Sequence, residues 1–248
     1  MLNYLQAELW RVFRRRSLYV HAAFLLFCAH LFAFLYSNGD FPQLVSGVCT
    51  TMITGILAAP MLAQLVDAGF QDTVKNELSF GLSRSSIYLG KLAGGIVLGL
   101  LFCGVLVGGV LLSGWLFLSH GTAREYLTAL GMLAFCLTAA LPLWCGMLSL
   151  CHMLGTLIRS AGVWVTLYFS AFFVGQPLIA ALLGSHIGRF DLFQAVLAPY
   201  SLLLSGYLSG NLDRTPGYLF LCWAVGLGWL AATTTVGLLC FHCRETRS

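Results

Sequence analysis

The sequence predicts an all-α integral membrane protein. It has six transmembrane helices, an N-terminal amphipathic elbow helix and a broken extracellular hairpin before the last span. Three observations carry this expectation. Apolar residues make up 59% of the chain and charged residues only 9%, whereas a soluble domain carries about 25% charged residues. With a mean hydropathy of +0.87, the chain has too few polar side chains to clothe a water-facing globule. The apolar residues gather in runs of roughly 20, the length a helix needs to cross a ~30 Å hydrocarbon core. The runs do not alternate in polarity, as the strands of a membrane barrel would.

The elements follow in order, as one transmembrane domain over residues 1–248. Residues 1–16 read as an interfacial helix: Leu2, Leu5, Leu9, Val12 and Phe13 share one face, and Asn3, Glu8, Arg11, Arg14 and Arg15 take the other. Arg11, Arg14, Arg15 and Arg16 would sit among anionic headgroups. The spans are expected at 18–36, 46–66, 92–118, 126–154, 161–183 and 218–240. The first is long, and no small-x-small cleavage site follows at once, so it reads as a permanent span and not a signal peptide. The third is glycine-rich, and Gly95/Gly99 and Gly104/Gly108, spaced four apart, would allow close helix approach. Residues 185–217 are apolar but interrupted by Pro199 and Gly206, which suits a re-entrant hairpin in the outer leaflet better than a simple span.

Orientation follows from the basic residues. Six spans put both termini on one side, which holds Arg11, Arg14, Arg15, Arg16, Lys75, Arg84, Lys91, Arg159, Arg244 and Arg247. The other side holds only Arg124, Arg189 and Arg214 of the 13. Both termini are therefore expected in the cytoplasm of a cell-membrane, multi-pass protein.

The spans themselves contain no Glu, Lys or Arg, with Asp67 only at the inner end of the second. Ion-coupled transporters and proton relays place ionisable groups there, and the remaining intramembrane candidates are His21, His30 and His152. The nine cysteines lie mostly within apolar runs and read as small hydrophobes. Two clusters, Cys145/Cys151/His152 and Cys240/His242/Cys243, have soft ligands but match no established metal spacing, so no metal is expected. No nucleotide-binding loop, nucleophile elbow or zinc-protease motif is present.

The polar stretch at 69–91 stands out. Asp72, Lys75, Asn76, Glu77, Arg84 and Lys91 crowd between two apolar runs. It reads as a short surface helix broken near Gly81, with Ser83 capping a helix that leads into the third span. The stretch Lys75-Asn76-Glu77-Leu78-Ser79-Phe80-Gly81-Leu82-Ser83-Arg84, then Ile87-Tyr88 and Lys91, resembles the cytoplasmic loop of permease subunits of type-2 ABC exporters. The elbow, the six spans and the broken hairpin extend the likeness over the whole chain. The resemblance implies a pore of two permease chains, identical or similar. It also implies a separate cytoplasmic ATPase that binds ATP and Mg and docks on this loop, so that this chain is not itself an enzyme and holds no cofactor. The docking residues would be Asp72, Lys75, Asn76, Glu77, Phe80, Gly81, Ser83, Arg84, Tyr88 and Lys91. Glu77 would be the foremost acidic contact, and Arg84 and Lys91 would pair with the partner or with headgroups. Spans without charge suit a hydrophobic or amphipathic cargo: a peptide, an antibiotic-like compound or a lipid. No nucleic-acid partner is implied. The rival readings are an ion-coupled secondary transporter using Asp67, Asp72 or the histidines, a membrane-embedded enzyme using Glu77, His152 or His242, and a plain membrane anchor.

Overall fold

The computed structural model describes residues 2–67, 70–175, 178, 195–203 and 215–243. Those residues are helical almost throughout. The helices are α1 (Leu2–Phe13), α2 (Arg16–Ser37), α3 (Phe41–Thr50), α4 (Thr54–Asp67), α5 (Phe70–Ser79), α6 (Arg84–Phe117), α7 (Ala123–Leu157), α8 (Ala161–Ser170) and α9 (Pro216–Cys243). The only β-type pairing among them is an isolated bridge between Asp40 and Ser119. Four helices (α2, α6, α7 and α9) are long and apolar enough to cross a membrane, and α3 with α4 makes a fifth if the bent pair is one span. The chain is thus a helical membrane protein. After α8 the helix runs on as a π-helical turn to Gly175; the rest of the fifth expected span, and most of the 185–217 hairpin, lies outside the described residues.

The second expected span differs from its sequence reading. It is not one helix over 46–66 but two, bent by 63° at residues 51–53. The threonines around the break show why. Thr50, Thr51 and Thr54 turn their hydroxyls back onto the carbonyls of Gly47, Val48 and Thr51 at 2.7, 2.8 and 2.6 Å, competing locally with the helical ladder.

Inside a membrane, a carbonyl freed from its helix must find another donor. Here the two carbonyls freed by prolines are met by aromatic side chains, and at the break a third aromatic joins the Gly55 N–H on the Met52 carbonyl. At the break, the Trp144 indole donates to the Met52 carbonyl at 2.9 Å. Pro60 cannot donate to the Ile56 carbonyl four residues back, and the Tyr168 hydroxyl does so at 2.9 Å. Pro142 likewise frees the Thr138 carbonyl, which the Trp223 indole takes at 3.2 Å. The packing of α4, α7, α8 and α9 thus follows from their prolines and breaks.

α7 is the central helix, packing most extensively against α9. Gly226 of α9 lies on the Pro142 backbone, where a Cβ would overlap it. Ser149 and Thr233 bond across the same pair at 2.8 Å. Of the glycine pairs on α6, Gly95 and Gly99 face Leu148 and Leu62 within the chain, whereas Gly104 and Gly108 face open space.

Candidate functional site

The polar residues converge at one end of the bundle. There α1 lies across the ends of α4 and α6. Its orientation corrects the sequence reading. At about 100° per residue, Tyr4, Glu8, Arg11, Val12 and Arg15 occupy one arc, and that arc faces the protein. Glu8 and Val12 are buried, while Trp10 and Phe13 are 62% and 39% exposed. Arg11, expected among headgroups, and Glu8, expected on the same polar face, instead build an internal cluster around Lys91.

Lys91, expected at the membrane edge, has no exposed surface. Its Nζ lies 3.0 Å from Glu8 Oε1 and 3.5 Å from Glu77 Oε1. Tyr4 donates its hydroxyl to Glu77 Oε2 at 3.0 Å. Arg11 pairs with Glu8 and also donates to the Val66 carbonyl at 3.1 Å. Arg15 donates to the Leu65 carbonyl at 2.8 Å. Two carboxylates thus balance Lys91 and Arg11, as a buried cation requires. Burial, then the charges of Glu8 and Glu77, holds the Tyr4 phenol well above its ordinary range. Burial, then the like charge of Arg11, lowers the Arg15 guanidinium. Arg14 lies over the Trp10 ring at 4.8 Å, and Arg16 is exposed at the start of α2.

A second polar pair sits beside the first. His152 on α7 presents Nδ1 to both Asp67 oxygens at 2.9 and 3.0 Å, and its Nε2 lies 3.2 Å from the Tyr88 carbonyl. The Tyr88 ring packs on the imidazole, centroids 4.5 Å apart. His21 and His30 only bond back to the carbonyls of Ser17 and Leu26 on their own helix.

The turn between α5 and α6 completes this end. Gly81 has φ +83°; its N–H bonds the Leu78 carbonyl and that of Leu82 bonds Glu77, a left-handed helix stop that favours glycine. Ser83 then caps α6 by accepting from the Ser86 N–H at 3.2 Å, as the sequence suggests. Phe80 at the tip is 86% exposed, and Lys75, Asn76, Ser79, Gly81 and Ser83 are exposed around it.

The expected docking residues therefore separate into two groups. Lys75, Asn76, Phe80, Gly81 and Ser83 form the outer surface of the turn. Glu77, Arg84, Tyr88 and Lys91 point elsewhere. Glu77 is taken by Tyr4 and Lys91, and its side chain is only 15% exposed. Arg84 donates to the carbonyls of Phe241 and His242 at 3.0 and 3.1 Å, closing the C-terminal end of α9. Tyr88 is fully buried. Asp72 lies in α5, but its side chain is outside the described residues. Of the soft clusters, His152 is engaged by Asp67, and His242 Nε2 lies 2.9 Å from Ser85 Oγ. Among the described residues no three His, Cys, Asp or Glu side chains are placed to hold a metal ion.

The sequence reading missed the Glu8–Lys91 contact and the joining of Asp67 to His152. A signal for the first was present: Glu8 stands three residues after Leu5 and four before Val12, on their buried side.

Between α2, the α3–α4 break, α6 and α7 lies an open-sided cavity of about 610 Å³ lined by residues such as Ala29, Met52, Leu62, Phe102, Val107 and Trp144. The threonine hydroxyls at its edge are already bonded to backbone, so its wall is apolar.

The fold and these sites define a helical membrane protein with an apolar cavity between its helices and a charged, buried joint at one end. Comparison with known proteins finds no family model that matches the chain and no similar curated protein.

Proposed function

We propose that the chain is the six-span permease subunit of an ATP-driven exporter, working with a second permease chain and a separate cytoplasmic ATPase. The observation that carries this reading is the α5–α6 turn. Its outer surface offers an exposed Phe80 among polar residues, while its inner side is bound to three other elements. Glu77 reaches α1 through Tyr4 and α6 through Lys91, and Arg84 reaches α9. A partner gripping Phe80 would therefore pull on α1, α6 and α9 together. The basic-residue bias puts this end in the cytoplasm, where ATP is available. The apolar cavity suits a hydrophobic or amphipathic cargo.

The test is co-purification of an ATP-hydrolysing subunit with the tagged chain from detergent-solubilised membranes, repeated with Phe80→Asp. Phe80 is the better target than Glu77, because it contacts a partner without holding the chain together. An ATPase that accompanies the parent and is lost with a folded Phe80→Asp supports the reading. No ATPase in several detergents overturns it. The buried Asp67–His152 pair favours one second reading, an ion-coupled transporter, which the same experiment separates from the first.

A further inference from the structure

We propose that the open-sided cavity is a binding site for the acyl chain of a membrane lipid, which enters it sideways from the bilayer. This narrows the cargo class given above. The binding itself needs no ATPase; only the step from bound lipid to exported lipid rests on the reading above.

The cavity follows from the break in the second span. α3 packs on α2, but at residues 51–53 the chain turns by 63°, and α4 packs chiefly on α7 and α6. The space left beside α2 stays open because the side chains bordering it are short. Ala29 lines it from α2, Gly55 and Ala58 from α4, and Gly99 from α6. Gly55 also lets the Trp144 indole lie against α4, where a Cβ would overlap the ring. The indole thereby becomes part of the cavity wall.

Chemistry and depth together identify the occupant. Among the described residues that line the cavity, none is Asp, Glu, Lys, Arg or His. The hydroxyls of Thr50, Thr51 and Thr54 turn back onto backbone carbonyls, and the Trp144 N–H is engaged by Met52. Water or a polar cargo would meet few side-chain partners beyond the weakly bonding thiols of Cys28, Cys103 and Cys145. The rim includes side chains that are themselves exposed, Cys28 and Phe32 of α2 and Leu100 of α6. Cys28 stands near the middle of the 22-residue α2, and Leu100 near the middle of the 34-residue α6. A helix of 22 residues is about 33 Å long, so the opening lies at hydrocarbon depth, where it meets acyl chains. Lipid tails are as apolar as the wall, so leaving the bilayer gains nothing by itself. The gain is in dispersion: walls of an unfilled gap lack neighbours, and a flexible chain supplies them. A volume of about 610 Å³ lies within the ordinary range of ligand sites.

The test places the full chain in nanodiscs of plain phosphatidylcholine or of phosphatidylcholine brominated at mid-chain, since bromine quenches tryptophan on contact. The Trp144 emission is the difference between the parent and Trp144→Phe, which leaves the Gly55 N–H on the Met52 carbonyl. Brominated lipid is expected to quench that emission. Ala29→Phe and Ala58→Phe, which fill the cavity from different walls, should restore it and leave quenching of the exposed Trp10 and Trp115 unchanged. An unquenched Trp144 overturns the proposal: the cavity is then closed by a second copy of the chain or held by a different cargo. A quench that persists in whichever filled variant folds overturns it too, because the chain then lies outside the rim. Should Trp144→Phe fail to fold, a phosphatidylcholine with a photoreactive diazirine at mid-chain is used on the parent. Adducts on Trp144, Cys145 or Leu148 support the site, and adducts confined to exposed Phe24, Phe27, Leu101 and Val105 overturn it. No ATP is present, so failure here leaves the ATPase test as it stands.

Discussion

The middle of the bundle and its α1 end solve the same problem with different chemistry. In the middle, Pro60 and Pro142 free two carbonyls, which Tyr168 and Trp223 satisfy with neutral donors, and Trp144 adds a second donor to the Met52 carbonyl at the 51–53 break. Each donor belongs to a helix that packs there anyway, so polar satisfaction and apolar packing come from one side chain. At the α1 end the bonds are charged, and they join residues as far apart as Glu8 and Lys91 or Arg84 and Phe241. Charged contacts lose far more when one partner is removed than neutral ones do. The middle is therefore built to hold its shape, and the α1 end is built so that α1, α5, α6 and α9 depend on one another.

The largest effect should come from Lys91→Met, which leaves Glu8 and Glu77 without their shared cation. Breaking a buried pair from one side costs about 3–5 kcal/mol. Equilibrium unfolding in mixed detergent should show a loss of this size, with most of it recovered when Glu8→Gln and Glu77→Gln are added. A loss under ~1 kcal/mol would mean that the cluster is solvated and that the contrast between the two regions is false.

The helical class and the capped turn at Ser83 were legible in the sequence, because hydropathy and local capping act over a few residues. The 63° break was not, since Thr50, Thr51 and Thr54 look like ordinary span residues until Trp144 is placed against Met52. The α1 end was legible only as a list of residues. Hydropathy put Lys91 at a membrane edge and Glu8 on a wet face, because each was weighed alone. Only their pairing, across more than eighty residues, makes burial of either affordable in free energy. The outer face of the turn, with Phe80, was visible because exposure at a helix stop is a local property.

Next in size is Tyr168→Phe in the middle. The Ile56 carbonyl would lose its donor in a site from which water is excluded, at a cost of about 1–3 kcal/mol. The same unfolding measurement checks it. No measurable loss would show that another donor reaches Ile56 and that Pro60 does not set the position of α8.

Tyr88→Phe should act in the opposite direction. The Tyr88 hydroxyl is buried without a hydrogen-bond partner, pressed against Gly237, where a Cβ would overlap it. Removing it leaves the ring on His152 and the backbone carbonyl in place, and relieves the desolvation of an unpaired group. A gain of up to about 1 kcal/mol is expected. A loss of that size would reveal a partner for the hydroxyl and make Tyr88 a member of the polar network.

The smallest effect is confined to alkaline solution and singles out Tyr4. Burial and the carboxylates of Glu8 and Glu77 hold its phenol protonated above the ordinary range in the folded chain, while in the unfolded chain it ionises near pH 10. The folded state thus keeps a proton that the unfolded state releases. Stability from this group is fully present below about pH 10 and declines as pH rises beyond it. Ultraviolet titration of the folded chain should show one fewer tyrosine ionising near pH 10 than in a control with Tyr4 free, and Tyr4→Phe should leave that folded titration curve unchanged. Should Tyr4→Phe instead remove a step near pH 10, Tyr4 titrates normally. Its bond to Glu77 would then be a surface contact, and α1 would be held by Glu8 and the arginines alone.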